Sequence, residues 1–206
     1  MNSGRLITIE GIDGAGKSTL AVALEIALAE RGFGVHLLRE PGGVTTAERV
    51  RELVKDPALQ IGARAETLLY AAARAQLVYE RVVPLLEEGS WVLLDRFVDS
   101  SLAYQGAGRG LGVEIVRTIN EFATGGLRPD RTLLLALPPA VGRARTLSRT
   151  EGLDRMERQR SDFFEAIANA YEELWAEDPA RIRRIDASGP PDQVLAAALE
   201  AIVDLI

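Results

Sequence analysis

Eight consecutive residues, Gly11-Ile12-Asp13-Gly14-Ala15-Gly16-Lys17-Ser18, constrain this chain more than any others. They match G-x-x-x-x-G-K-[ST] in full and stand between a short apolar run, Leu6, Ile7 and Ile9, and a pattern in which Leu20, Leu24 and Leu28 recur every fourth residue. That order reads as strand, glycine-rich loop, helix. The glycines allow a tight turn whose N–H groups point at one anion, and the positive end of the following helix adds to the same field. Lys17 is placed to reach β- and γ-phosphates, and Ser18, with Thr19 beside it, to offer a hydroxyl to Mg²⁺. Residues 11–19 are thus a candidate site for ATP with Mg²⁺.

The rest of the chain continues the alternation. Strands are expected at Val35–Leu38, Trp91–Leu94, Thr132–Leu137 and Ile182–Ile185. Helices are expected at Ala47–Val54, Glu66–Glu88, Val113–Ala123, Ala140–Ser148, Asp162–Glu177 and Asp192–Leu205, with Ile115, Ile119 and Phe122 forming the apolar face of the third of these. Strand–helix alternation predicts an α/β fold: a five-stranded parallel sheet covered by helices on both faces, in one domain over 1–206. Ligands of such sheets bind beyond the C-terminal ends of the strands. Glu10, Arg39 and Asp95 all fall there.

Asp95 closes the strand Trp91-Val92-Leu93-Leu94 and is a candidate to hold the hydration shell of Mg²⁺, with Glu10 as the other carboxylate in reach. Arg39, Arg74 and Arg96 make a second anion site beside the loop. Between residues 143 and 160 lie six Arg against Glu151, Asp154 and Glu157, a net positive stretch in a chain of net charge −6. Its Gly-containing middle predicts a basic lid over 149–160. Gly106 to Gly112 resembles a dinucleotide loop but follows no strand, and reads as a flexible turn.

Composition narrows the rest. The chain has 206 residues, 47% hydrophobic and 26% charged, without a run long enough to span a membrane. Residues 1–10 read as strand instead of a targeting segment. It has no Cys and one His, His36, which excludes disulfides and thiolate or His-rich metal sites. The acidic balance disfavours nucleic acid as a partner. A cytoplasmic location is the expectation.

Ile9-Glu10-Gly11 leading into the loop, Arg39-Glu40-Pro41-Gly42-Gly43, Tyr70-Ala71-Ala72-Ala73-Arg74-Ala75-Gln76, Asp95-Arg96-Phe97, Tyr104-Gln105-Gly106 and Leu153-Asp154-Arg155 together resemble the thymidylate kinases, nearly from end to end. The resemblance implies the P-loop kinase fold, transfer of the γ-phosphate of ATP to dTMP, and a homodimer with 66–88 at its interface. It implies that Tyr70 stacks on thymine, Arg74 donates to a base carbonyl, and Ser101 and Gln105 bind the base or its waters. Asp13 would lie near the sugar 3′-hydroxyl and the acceptor phosphate, Arg39 and Arg96 would hold that phosphate, and Tyr104 would crowd the 2′ position. Phe97 departs from the Tyr or His common there. The loop carries no Arg of its own, so the resemblance is to the form that supplies one from the lid, with Arg155 expected at the transition state and Arg149 beside ATP.

The chemistry agrees without the resemblance. A phosphate monoester has a second pKa of about 6, so as a nucleophile it is largely deprotonated at neutral pH and needs no general base. What remains is to align two anions and neutralise their repulsion, a task suited to Mg²⁺, Lys17, loop amides and arginines. The motifs alone leave room for a kinase reading another nucleoside or nucleotide, and for an ATP-dependent switch sharing only the loop.

Overall fold

The computed structural model describes residues 4–148 and 154–206. Five parallel strands are present: β1 (Arg5–Glu10), β2 (Val35–Arg39), β3 (Trp91–Asp95), β4 (Arg131–Ala136) and β5 (Ile182–Asp186), in the order β2-β3-β1-β4-β5. Parallel neighbours need crossovers, and the helices supply them. They are α1 (Lys17–Ala29), α2 (Thr45–Lys55), α3 (Ala63–Leu77), α4 (Val83–Glu87), α5 (Val98–Ser101), α6 (Val113–Thr124), α7 (Pro139–Leu147), α8 (Ser161–Glu177) and α9 (Pro191–Glu200).

Alternate residues of the central strands point to opposite faces. Ile7, Ile9, Leu93 and Leu133 pack with Leu20, Leu24 and Leu28 of α1 and Phe164 and Ile167 of α8. Leu6, Val92 and Leu94 pack with Ala47 of α2, Ala73 and Leu77 of α3, and Phe97. The central strands β1, β3 and β4 are therefore dry on both sides, as continuous apolar strands require, while the edge strands β2 and β5 are partly open. Its register pairs Ile9 with Asp95 and Arg39 with Asp95, which brings the chemically active strand ends to one rim.

Three expectations change. The single helix over 66–88 is interrupted: α3 ends at Leu77, a π-helical turn occupies Val78–Val82, and α4 resumes with Pro84 in its first turn. Pro84 has no N–H to donate back along the helix and its ring crowds the preceding turn, so the helix widens before it. The glycine-rich stretch is not a flexible turn throughout. Leu102–Gly108 forms a second π-helical segment continuing α5, and a Cβ on Gly108 would lie 2.7 Å from the Phe163 ring. The face of α6 also differs. Val116, Asn120 and Thr124 are buried, whereas Ile115 and Phe122 are 62% and 92% exposed. The helix is turned by the need to bring Asn120 to Arg74, whose guanidinium donates to the Asn120 Oδ1.

Candidate active site

The loop after β1 is built by backbone conformation. Gly16 has φ 94° and caps α1, with nothing within 4 Å of where a Cβ would lie, so conformation alone demands glycine there. Gly14 has φ 79°, and a Cβ on it would come within 2.2 Å of the Gly142 carbonyl, so at that position space and conformation agree. Ile12 and Ala15 bury their side chains in the core and contribute backbone to the loop. Lys17 Nζ donates to the Ile12 carbonyl at 2.8 Å. Burial, and after it the Arg96 charge, brings its ammonium down to a pKa of about 8.

A cleft of about 300 Å³ opens over this loop. Asp13, Gly14, Gly16, Lys17, Ser18 and Thr19 form one end, and Arg39, Tyr70, Arg74, Arg96, Ser101, Tyr104 and Gln105 form the other. The loop residues and those expected to bind the acceptor thus line one cavity.

Between the two ends lies a tight polar cluster. Arg96 Nη2 donates to Asp13 Oδ1 at 2.5 Å and to Tyr104 Oη at 3.1 Å, and Tyr104 Oη donates to Asp13 Oδ2 at 3.0 Å. The Arg96 guanidinium also lies 4.9 Å from the centre of the Tyr104 ring, and its Nη1 donates to the Gly11 carbonyl and to Ser100. Arg96 is the one non-glycine residue with positive φ among the described residues, at 74°. Such a conformation persists where surroundings over-determine it, and these contacts do so. Burial pushes the Asp13 carboxyl up, but the Arg96 and Lys17 charges outweigh it and hold Asp13 below its usual range.

The metal candidates separate. Ser18 Oγ donates to Asp95 Oδ2 at 2.6 Å, so the hydroxyl and carboxylate converge at the start of α1. Glu10 is fully buried and turned elsewhere: it accepts from the Phe97 and Ser100 N–H groups at 2.7 and 3.3 Å and from Tyr171 Oη at 3.0 Å. Burial, with Asp99 nearby, raises its pKa to about 7. Glu10 therefore does not join the Ser18–Asp95 pair. Among the described residues no group of three or more His, Cys, Asp or Glu side chains is disposed to hold a metal unaided.

At the acceptor end Arg74 is 2% exposed and its donors are engaged by protein. Nε and Nη2 meet Glu40 at 2.7 and 2.6 Å, Nη1 meets Ser101 Oγ at 2.9 Å and Asn120, and Nη2 meets the Phe97 carbonyl at 2.9 Å. Gln105 Nε2 donates to Glu66 at 3.0 Å. Arg39 is half-exposed and pairs with Glu48 at 3.3 Å.

Arg155 sits away from the phosphate loop. Its Nη1 meets Glu66 at 2.7 Å and its Nε donates to the Val54 carbonyl at 2.8 Å. Arg149 lies outside the described residues, as do residues 150–153 of the lid expected over 149–160. Three cleft residues escaped the sequence reading: Arg51, whose Nη1 donates to the Pro41 carbonyl at 2.9 Å, Lys55 and Ser100; Met156, also in the cleft, falls within the expected lid. Arg51 and Lys55 are one turn apart on α2, directly after the Arg39–Gly43 turn, and that i,i+4 spacing was the available signal.

Comparison with known proteins identifies the arrangement. The family model described as thymidylate kinase matches residues 9–198. The chain is 46% identical over 207 residues to a thymidylate kinase of Rhizorhabdus wittichii, covering 98% of this chain and 99% of that one. It is 45% identical to a thymidylate kinase of Deinococcus radiodurans, covering 98% of each. The crystal structure of thymidylate kinase from Ehrlichia chaffeensis superposes with a TM-score of 0.80 at 26% identity, over 98% of this chain and 99% of that one. With a matching family model over most of its length and relatives of this identity from end to end, the chain belongs to the thymidylate kinase family.

Proposed function

We infer that this chain transfers the γ-phosphate of ATP to dTMP, giving dTDP and ADP. The observation that carries the reading is the shared cleft, in which the phosphate loop, Asp13 included, faces Arg96, Tyr104 and Tyr70. An acceptor phosphate held by Arg96 and Arg39 lies in line with a donor held by the loop amides and Lys17. An oxygen of dTMP forms a bond to the γ-phosphorus as the bond to the β,γ-bridging oxygen breaks, and ADP leaves with that electron pair. No side chain needs to take a proton, because the monoester is already ionised. The protein contributes alignment and charge.

Ser18 and Asp95 fit Mg²⁺, since a hydroxyl and a carboxylate 2.6 Å apart are hard oxygen donors of the kind it takes alongside water and phosphate. The ion supplies neutralisation of the β- and γ-phosphates when bound. Tyr70 stacks on thymine, Tyr104 crowds the 2′ position, and Ser101, Gln105 and Arg74 shape the base end. Arg149 takes the donor side of a lid over 149–160 in a chain that works as one domain. Leu68, Tyr79, Ile115 and Phe122 are exposed on α3, its continuation and α6, and support a homodimer through that face. No helix among the described residues is long and apolar enough to cross a membrane, in keeping with a cytoplasmic enzyme.

The test is ADP production with dTMP, dUMP, dCMP, dGMP and thymidine in turn. dTMP is expected to be the best acceptor, with dUMP poorer by about 1–3 kcal/mol for its missing methyl. Equal efficiency on dCMP would overturn the thymine reading, and turnover of thymidine above dTMP would overturn the acceptor-phosphate site.

A further inference from the structure

We propose that Glu66 is a positioning residue that fastens the C-terminal shoulder of the lid to the base end of the acceptor pocket; this rests on the reading of that pocket as the dTMP site. Glu66 stands in the first turn of α3 and its carboxylate is completely buried. Four donors saturate it. Oε1 accepts from Gln105 Nε2 at 3.0 Å and Arg109 Nε at 3.1 Å. Oε2 accepts from Arg109 Nη2 at 3.0 Å and faces Arg155 Nη1 at 2.7 Å. Burial opposes its ionisation, but Arg109, Gln105 and Arg155 outweigh it and hold the carboxyl below its usual range.

Those partners come from two segments, 102–109 and the stretch after Asp154, so with α3 the carboxylate joins three. Gln105 lines the cleft. Arg109 ends the segment that carries Tyr104 and Gln105, and reaches on to Gln159 at 2.9 Å and to the sulfur of Met156. Arg155 follows Asp154 in the second half of the lid sequence, and its main-chain N–H donates to the Lys55 carbonyl at 3.4 Å while Asp154 pairs with Lys55 at 2.9 Å. Asp154 and Met156 on this shoulder line the cleft, and so does Tyr70, one helical turn along α3 from Glu66. One carboxylate therefore sets the height of the lid shoulder relative to the side chain expected to stack on the base.

Stability alone is a poor reason for such a group. A buried Arg–Glu–Arg arrangement costs much in desolvation, and apolar replacements of similar volume are often as stable or more so. What a saturated carboxylate does supply is a fixed geometry among three segments far apart in sequence.

The experiment compares wild type with Glu66→Gln, Arg155→Met and the double variant. Gln keeps the shape but directs an amide N–H₂ or a neutral oxygen at two guanidiniums, so Arg155 is released. Expected is a rise of about tenfold or more in KM for dTMP, the scale for losing a hydrogen bond to a charged group, in both single variants. KM for ATP should stay within about twofold, because the donor side is untouched. The double variant should match the singles within about twofold, since both break one link. Amide hydrogen exchange read in parallel on the proteins without nucleotide should quicken across 154–160 in Glu66→Gln. A dTMP KM like wild type, effects that multiply, or unchanged exchange would each overturn the proposal, and a fall in Tm with KM unmoved would make Glu66 merely structural. If Glu66→Gln does not fold, Arg155→Met alone decides, because Arg109 and Gln105 still hold the carboxylate in that variant. Wild-type failure to use dTMP sinks the reading of the pocket instead, while the exchange measurement still judges the link.

Discussion

Asp13 of the phosphate loop and Arg96 at the end of β3 form a salt bridge at 2.5 Å, across 83 positions of sequence. The phosphate loop and the arginine proposed to hold the acceptor phosphate are thereby joined directly. Asp13→Asn keeps the shape and removes the charge, so Arg96 loses its ionic partner and the shortest of its contacts, while Tyr104, Ser100 and the Gly11 carbonyl remain. The expected result is a fall of roughly 10- to 150-fold in kcat/KM for dTMP, the range for hydrogen bonds to charged groups. Steady-state kinetics with each substrate varied checks it; a loss confined to ATP would mean that the pair serves the loop alone.

Lys17→Ala removes the ammonium proposed to neutralise the β- and γ-phosphates. A rate loss of at least ~10²-fold with an unchanged circular dichroism spectrum is expected. The same residue predicts a pH profile. Its proton leaves the free enzyme as pH rises through about 8, so kcat/KM for ATP should decline above that point. Bound phosphates favour the charged ammonium, so kcat should hold to higher pH. A kcat/KM flat to pH 10 would remove Lys17 from this role.

Tyr70→Ala should raise KM for dTMP much more than KM for ATP. Stacking of a base on an aromatic ring is worth about 1–3 kcal/mol, which corresponds to roughly 5- to 150-fold. An effect on ATP alone would place the stacking platform elsewhere.

Phe122 is 92% exposed on α6, with Ile115 of the same helix, Leu68 of α3 and Tyr79 of its continuation also exposed, and apolar side chains exposed together mark a face for a partner. Phe122→Asp should shift the chain toward monomer in sedimentation velocity without lowering its Tm, since the side chain contributes nothing to the monomer core. An unchanged sedimentation coefficient would exclude this face from the dimer.

The strands, the order of helices and the phosphate loop were legible in the sequence because each rests on local rules. Leu20, Leu24 and Leu28 mark a helix face by period alone, and Gly11 to Ser18 encode a backbone shape that needs only its own glycines. Arg39, Asp95 and Arg96 followed from their place at strand ends, since in a parallel sheet those ends share one rim. The pairing of charges is of another kind. Arg74 meets Glu40 and Asn120, Glu66 meets Arg109 and Arg155, and Glu10 turns to Tyr171 in place of the Ser18–Asp95 pair. Those partners lie tens of residues apart, and no period or spacing joins them. The apolar period of α6 pointed at Ile115 and Phe122, yet the helix buries Asn120, because a buried guanidinium must find acceptors wherever the fold supplies them. Sequence alone determined the strands, the phosphate loop and the strand-end charges that share one rim; only the tertiary structure added Arg51, Lys55 and Ser100 to the cleft and decided which side chains hold one another in place, because burial makes every unpaired donor costly and the pairing is settled among segments that meet only when the sheet has closed.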